Sequence, residues 1–223
     1  MQSGIDAKHI ISMGALSDRV TITGNTKYDE TYAEVSEEEK QQLRHEFHFD
    51  GKGPVIVAGS THNGEEEIIL RIFGKILKEY PDARLLLAVR EITRALSVRF
   101  LVKHFGYSVL RRSKMGTEED DGRCHQVIIL DTIGELGRLY SLADVVFVGG
   151  SFVKVGGHNI LEPAAHGKPV LVGPYMFNFR EIFDLLSKRG VCRMAQNESE
   201  LEKTLRDLLA HPEKMKAMGE AAL

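Results

Sequence analysis

The stretch DVVFVGGSFVKVGGHNILEPAA, residues 144–165, decides the fold. After Asp144, the run Val145-Val146-Phe147-Val148 is apolar throughout instead of alternating, as suits a strand with both faces covered. It opens onto Gly149-Gly150-Ser151, and a second pair, Gly156-Gly157, leads into His158 and Asn159 at the start of a short helix. Strand, glycine-rich turn and helix in that order make a βα unit, and ligands of such sheets collect beyond the carboxyl ends of the strands.

The same unit recurs outward in both directions. Candidate strands are residues 54–58, 84–89, 107–110, 126–130, 169–172 and 190–194. Between them, Ile68, Ile69, Ile72, Phe73, Ile76 and Leu77 recur at helical spacing, with Pro81 as a stop, and Ala95, Val98, Leu101, Val102 and Phe105 form a second stripe. Further helices are expected over 133–142, over 178–188, and from Asn197 or Ser199 to Ala210. Ser36-Glu37-Glu38-Glu39 is a capping box. This alternation predicts a doubly wound, parallel α/β sheet. Residues 111–123 are polar and read as a mobile surface loop, and Val20 to Thr23 is strand-like.

Composition narrows the classes. The 223 residues carry 29 Lys plus Arg against 32 Asp plus Glu, a net charge of −3, which argues against a nucleic-acid partner. No apolar run approaches the ~18 residues of a membrane span, and the first residues lack the apolar core of a leader. Cys124 and Cys192 fit no zinc spacing and suit a reducing compartment.

Three loops deserve inspection as sites. Gly59-Ser60-Thr61-His62-Asn63-Gly64 opens a helix and suggests an oxyanion cradle of backbone N–H groups. It has the glycine spacing of a phosphate loop, but Glu65 and Glu66 replace the Lys and Ser/Thr, so a nucleoside triphosphatase is not expected. The four glycines of residues 149–157 allow close backbone approach to a phosphate. Glu162, three residues after Asn159, can accept bonds from vicinal ribose hydroxyls; otherwise the two are a helix cap and a first-turn acid. Arg90 follows a strand end and is the best-placed guanidinium for an anion, with a plain surface role as the alternative. Asn178 reads as a site residue or an N-cap. Histidines other than His158, including His62, are scattered without ligand spacing.

With these loops laid out, the sequence resembles the 3-deoxy-D-manno-octulosonic acid (Kdo) transferases of lipopolysaccharide synthesis. The resemblance is carried by Gly24-Asn25-Thr26-Lys27-Tyr28-Asp29, by Ala58-Gly59-Ser60-Thr61-His62, by Gly149-Gly150-Ser151 with Gly156-Gly157-His158-Asn159-Ile160-Leu161-Glu162-Pro163-Ala164, and by Asn178-Phe179-Arg180. It implies a Rossmann-like, C-terminal domain of a GT-B glycosyltransferase, with residues 1–23 as the tail of the N-terminal domain and 24–223 as the nucleotide-sugar domain. The implied donor is CMP-Kdo and the implied acceptor a lipid A precursor at the cytoplasmic face of the inner membrane. No cofactor and no metal are implied. Glu162 would hold the ribose and Asn159 would align the donor. Ser60 and Thr61 with the glycine-rich backbone would meet the cytidylate or the Kdo carboxylate, Arg90 would balance the departing phosphate, and Lys27 would reach the cleft.

Family members are about twice as long, so the resemblance implies the donor-binding half only. The acceptor site, the general base and the membrane association would then lie in the other half, leaving this fragment soluble and inactive alone. Val89-Arg90-Glu91 stands where the family usually has Pro-Arg-His, and Ile160 replaces a typical proline. The alternatives are a GT-B domain using a UDP-sugar and a non-catalytic nucleotide-binding module.

Overall fold

The computed structural model describes residues 1, 4–24, 32 and 34–223, with Ile5 described by its backbone alone. It divides into two compact units, Met1–Ala33 and Glu34–Leu223. In the first, helix α1 (Gly4–Ser12) precedes a 3-10 turn at Ser17–Arg19. Val20 to Thr23, strand-like in sequence, joins no ladder; Thr23 N–H instead donates to the Met1 carbonyl at 3.0 Å.

The second unit begins with α2 (Glu37–Glu46), capped as its sequence predicts, the Ser36 hydroxyl accepting from Glu39 N–H at 3.1 Å. Then come β1 (Val55–Thr61), α3 (Glu65–Glu79), β2 (Arg84–Val89), α4 (Ala95–His104), β3 (Val109–Arg111), β4 (Val127–Leu130), α5 (Leu136–Leu139) and β5 (Val145–Val148). The remainder is α6 (Leu161–Ala165), β6 (Val170–Val172), α7 (Arg180–Lys188), β7 (Cys192–Met194), α8 (Glu198–Ala210) and α9 (Pro212–Ala222). All seven strands lie parallel in one sheet of order β3-β4-β2-β1-β5-β6-β7.

The pleat divides the apolar strand residues between two layers. Val55, Val57, Ile128, Val146 and Val148 face one cluster, closed by Leu43 and Phe47 near α2 and by Ile182 and Leu186 of α7. Ile56, Ala58, Ile129, Val145 and Phe147 face the other, against Ile69, Phe73 and Ile76 of α3, Val98 and Val102 of α4, and Leu205 and Leu208 of α8. Burial on both sides at roughly 1.5–3 kcal/mol per large apolar side chain is what holds the sheet in the middle of the unit.

Differences from the sequence reading have local causes. β1 runs three residues beyond Ala58, its register with β2 shifting between Ala58 and Thr61, so Gly59, Ser60 and Thr61 belong to the strand end and not to a loop. The helix expected over 133–142 starts at Leu136, after Gly134 with φ +87°. Asn178 does not cap α7; its side chain donates to the Val155 carbonyl at 2.9 Å.

Residues 111–123 are pinned at several points and are not a loose loop. Arg112 donates to Glu135 at 2.9 Å, pairs with Glu46 of α2 and lies 4.9 Å over the Phe47 ring. Ser113 N–H and hydroxyl both reach Asp131, at 2.8 and 2.6 Å. Burial raises the Glu135 pKa, but Arg112, Thr132 and Arg138 outweigh it and hold the carboxyl at about 2 against an ordinary 4.5.

A depressed carboxylate pKa stabilises above its unfolded value and loses that contribution as pH falls through the folded one. Glu135 is therefore expected to contribute on the order of 3 kcal/mol above pH 4.5, lost on acidification toward pH 2. Urea unfolding of Glu135→Gln should show a flatter acid limb across that window. An acid limb unchanged by the substitution would remove this network from the account.

Candidate functional site

The strand order reverses at β1: the chain passes from β1 to β2 on one side, and β5 then pairs on the other. The crevice of such a sheet opens between the two strands that flank the reversal. Here that seam is tight. Gly149 N–H donates to the Gly59 carbonyl at 2.8 Å. A Cβ on Gly59 would lie 2.1 Å from Tyr140 Oη, and one on Gly149 would lie 2.4 Å from the Ser60 carbonyl oxygen, so both positions admit only glycine. Ser60 between them has φ +55°, a left-handed conformation that costs a side-chain-bearing residue energy and that its surroundings must hold in place.

The cradle expected of these loops closes on the chain's own carboxylate. Glu65, at the start of α3 and fully buried, accepts from Gly150 N–H at 2.8 Å, Ser151 N–H at 3.0 Å and Phe152 N–H at 2.8 Å. A fourth bond comes from His62 N–H at 2.9 Å. Charge-assisted bonds of this kind, aided by the positive end of α3, are what allow a carboxylate to sit without water. Glu66, also buried, accepts from the Thr61 hydroxyl at 3.1 Å and from Arg94 at 2.9 Å. Thr61 is fully buried, its hydroxyl turned to this neighbour.

The N–H groups of Gly149, Gly150 and Ser151 are thus committed within the protein, and those of Gly156 and Gly157 donate to the Gly150 carbonyl at 3.1 and 2.8 Å. The Ser151 hydroxyl donates to the Val148 carbonyl at 2.6 Å and accepts from Gly173 N–H at 2.8 Å. Gly156 and Gly157 have φ +105° and +79°, and a Cβ there would meet Asn178 and Met176 at 2.4 Å. Asn178 therefore clamps the glycine-rich segment to the loop after β6.

Side chains line what remains. His62, from the end of β1, and His158, from the segment after β5, lie with rings parallel to 2° and Nε2 atoms 2.8 Å apart. One ring must donate and the other accept at that separation. Gly150 packs beneath them: a Cβ there would stand 3.0 Å from the His158 ring. Asn159 Oδ1 accepts from Leu161 N–H at 3.0 Å while its Nδ2 donates to Glu162 Oε1 at 3.2 Å. Asn159 is thus not the cap of α6, a position that Ile160 occupies without a side-chain bond; it lies one residue earlier and ties Leu161 N–H to the Glu162 carboxylate. Burial, and then the charge of Glu162, push the Tyr140 phenol well above its ordinary pKa, which sets Glu162 close to the residue that packs on Gly59. Arg90 is exposed at the end of β2, its N–H bonded to the Thr61 carbonyl at 3.0 Å. Lys27 lies outside the described residues.

The structure thus gathers Ser60, His158, Asn159 and Glu162 with the glycines at one seam, sets Arg90 at the end of the adjoining β2, and leaves Thr61 in the interior. It adds His62, Glu65 and Tyr140. The signal for His62 was its place directly after a strand that adjoins β5; spacing along the chain could not reveal it.

Residues 60–223 match the family model for glycosyl transferases group 1. A 3-deoxy-D-manno-octulosonic acid transferase of Haemophilus influenzae is 38% identical over 221 residues, covering 99% of this chain and 51% of that protein. One of Aquifex aeolicus is 39% identical over 165 residues, covering 74% of this chain and 44% of that protein. Among solved structures, the C-terminal CMP-Kdo binding domain of WaaA from Acinetobacter baumannii aligns with a TM-score of 0.74 at 29% identity, covering 83% of this chain and 94% of that one. The chain spans about half the length of these two transferases.

Replacing Glu65 by Gln turns one acceptor oxygen into a donor facing N–H groups. Glu65→Gln is expected to lower unfolding stability by on the order of 2–4 kcal/mol in urea melts. Glu67→Gln, in an exposed pair with Arg71 at 3.0 Å, should stay within about 0.5 kcal/mol of the parent. Equal effects would mean that the buried carboxylate does not hold the seam.

Proposed function

The chain belongs to the group 1 glycosyl transferases, and on that premise we propose that it is the donor-binding half of a Kdo transferase, holding CMP-Kdo at the β1–β5 seam. The observation that carries the reading is the match along most of the chain to a CMP-Kdo binding domain. Transferase relatives that align with nearly its whole length support it.

In the proposed reaction a hydroxyl oxygen of the acceptor, a lipid A precursor, bonds to the anomeric carbon of Kdo. The bond from that carbon to the phosphate oxygen of CMP breaks, and its electron pair leaves with CMP. The hydroxyl proton passes to a base, which we place with the acceptor site and the membrane attachment in the half of the relatives that this chain does not span. Donor departure then needs positive charge that matters more as the bond breaks, and no metal is proposed to supply it.

Arg90 is the residue proposed for that role, because its guanidinium is exposed at a strand end on the crevice side of the sheet. Glu162, steadied by Asn159, is proposed to accept the ribose hydroxyls. With the loop amides committed to Glu65 and to one another, anion recognition is assigned to side chains: Arg90, the Ser60 hydroxyl and the His62–His158 pair, in which one Nε2 donates to the other.

Calorimetry with CMP, CMP-Kdo, UMP and UDP tests the donor class: cytidylates should bind and uridylates should bind at least tenfold more weakly. Glu162→Ala should weaken CMP by roughly 10–150-fold through the loss of a charge-assisted bond. Arg90→Ala should weaken CMP far more than cytidine, since only the phosphate meets the guanidinium. Tighter binding of UDP, or equal losses for CMP and cytidine, would overturn the donor or the Arg90 assignment respectively.

A further inference from the structure

Tyr140, in the 3-10 turn directly after α5, is 2% exposed. Its ring packs in the layer of Val55, Val57 and Val148, and its hydroxyl ends against Gly59, where a Cβ would lie 2.1 Å from Oη. A phenol in such a place ordinarily finds a hydrogen-bond partner, because burying its polar end unbonded costs free energy. Tyr107 follows the rule and donates to the Leu70 carbonyl at 3.1 Å. The Tyr140 hydroxyl bonds to none of the described residues. Fully enclosed side-chain atoms left unbonded among those residues are Arg84 Nε, Arg111 Nε and His125 Nδ1. Tyr140 Oη is not one of them, so the small open part of this side chain includes its tip, at the seam.

Glu162 stands close by. Gly137, three residues before Tyr140, sets α5 against it: a Cβ there would be 3.9 Å from Glu162 Oε2. Burial and then the charge of Glu162 hold the phenol in its protonated form. A carboxylate only accepts, so a sugar hydroxyl that gives its proton to Glu162 keeps oxygen lone pairs that call for a donor. Asn159 Nδ2 is already committed to Glu162 Oε1. The phenol O–H is a donor still to be used.

We propose that Tyr140 is a ribose contact and a determinant of selectivity for a ribonucleotide, its hydroxyl donating to the oxygen of a ribose hydroxyl whose own proton goes to Glu162. The proposal rests on the placement of the nucleotide at the β1–β5 seam. Glycine at position 59 then serves the ligand as well as the strand pairing, since a side chain there would push the phenol away from the seam.

Tyr140→Phe keeps the ring and removes only the oxygen. In calorimetry its affinity for CMP and for cytidine should each fall about 2–12-fold, while 2′,3′-dideoxycytidine monophosphate binds it as it binds the parent. Thermal stability should hold or rise, because no bond within the protein is lost. A loss for CMP alone would make the hydroxyl a phosphate contact, equal losses for all three ligands would place it away from the ribose, and unchanged CMP affinity would remove it from the site; each overturns the proposal. So does a variant that melts several degrees lower or fails to fold, since the hydroxyl then serves the fold. Glu162→Ala separates this failure from that of the donor reading. If that variant binds CMP like the parent, the ribose assignment of the seam falls and takes Tyr140 with it. If it weakens CMP while Tyr140→Phe does not, the failure is confined to Tyr140.

Discussion

One buried carboxylate organises the functional end of this sheet. Glu65 gathers the N–H groups of Gly150, Ser151 and Phe152 together with that of His62, and so ties the turn after β5 to the start of α3. A charge in that position is tolerable only while all its bonds are kept, and the surrounding backbone is correspondingly fixed. The close approach of Gly59 and Gly149, the conformation of Ser60 and the edge-to-edge bond between His62 and His158 all belong to the same few residues.

This arrangement inverts a familiar use of glycine-rich turns. Backbone amides at a helix start commonly face a ligand's phosphate. Here they face an anion belonging to the protein. For the proposed anionic donor, this leaves recognition to side chains around the rim, with Arg90 and the histidine pair as the proposed sources of attraction beside a carboxylate whose bonds are already satisfied.

Much of the fold was legible because it depends on near-neighbour chemistry. Strands such as Val145–Val148 and Val127–Leu130 are apolar at every position since both faces are covered, and that pattern is visible without a structure. The capping of α2 by Ser36 was equally local. What escaped were relations across the chain. Glu65 and Glu66 read as the loss of a phosphate loop's Lys and Ser/Thr, because the amides and hydroxyl that they bind are set by folding. His62 looked isolated because its partner is 96 residues away. The segment 111–123 looked loose because Asp131, Glu135 and Glu46, which hold it, cannot be matched to it by spacing. Even the extra length of β1 follows from a register shift against β2, not from any preference of Gly59 or Ser60.

The bonds from Gly150, Ser151 and Phe152 to Glu65 span 85, 86 and 87 residues. On a ribosome adding ~5–20 residues per second, β1 and α3 therefore exist for about 4–17 s before the amides that complete them have been made. During that interval Glu65 has His62 alone among its four native donors, and water must serve in place of the rest. The first βα unit can collapse onto its neighbours through Ile69, Phe73 and Ile76, but its carboxyl end stays hydrated until β5 arrives beside β1. The carboxyl end of β1 is thus the part of the first βα unit that waits for β5, in an order imposed by the direction of translation.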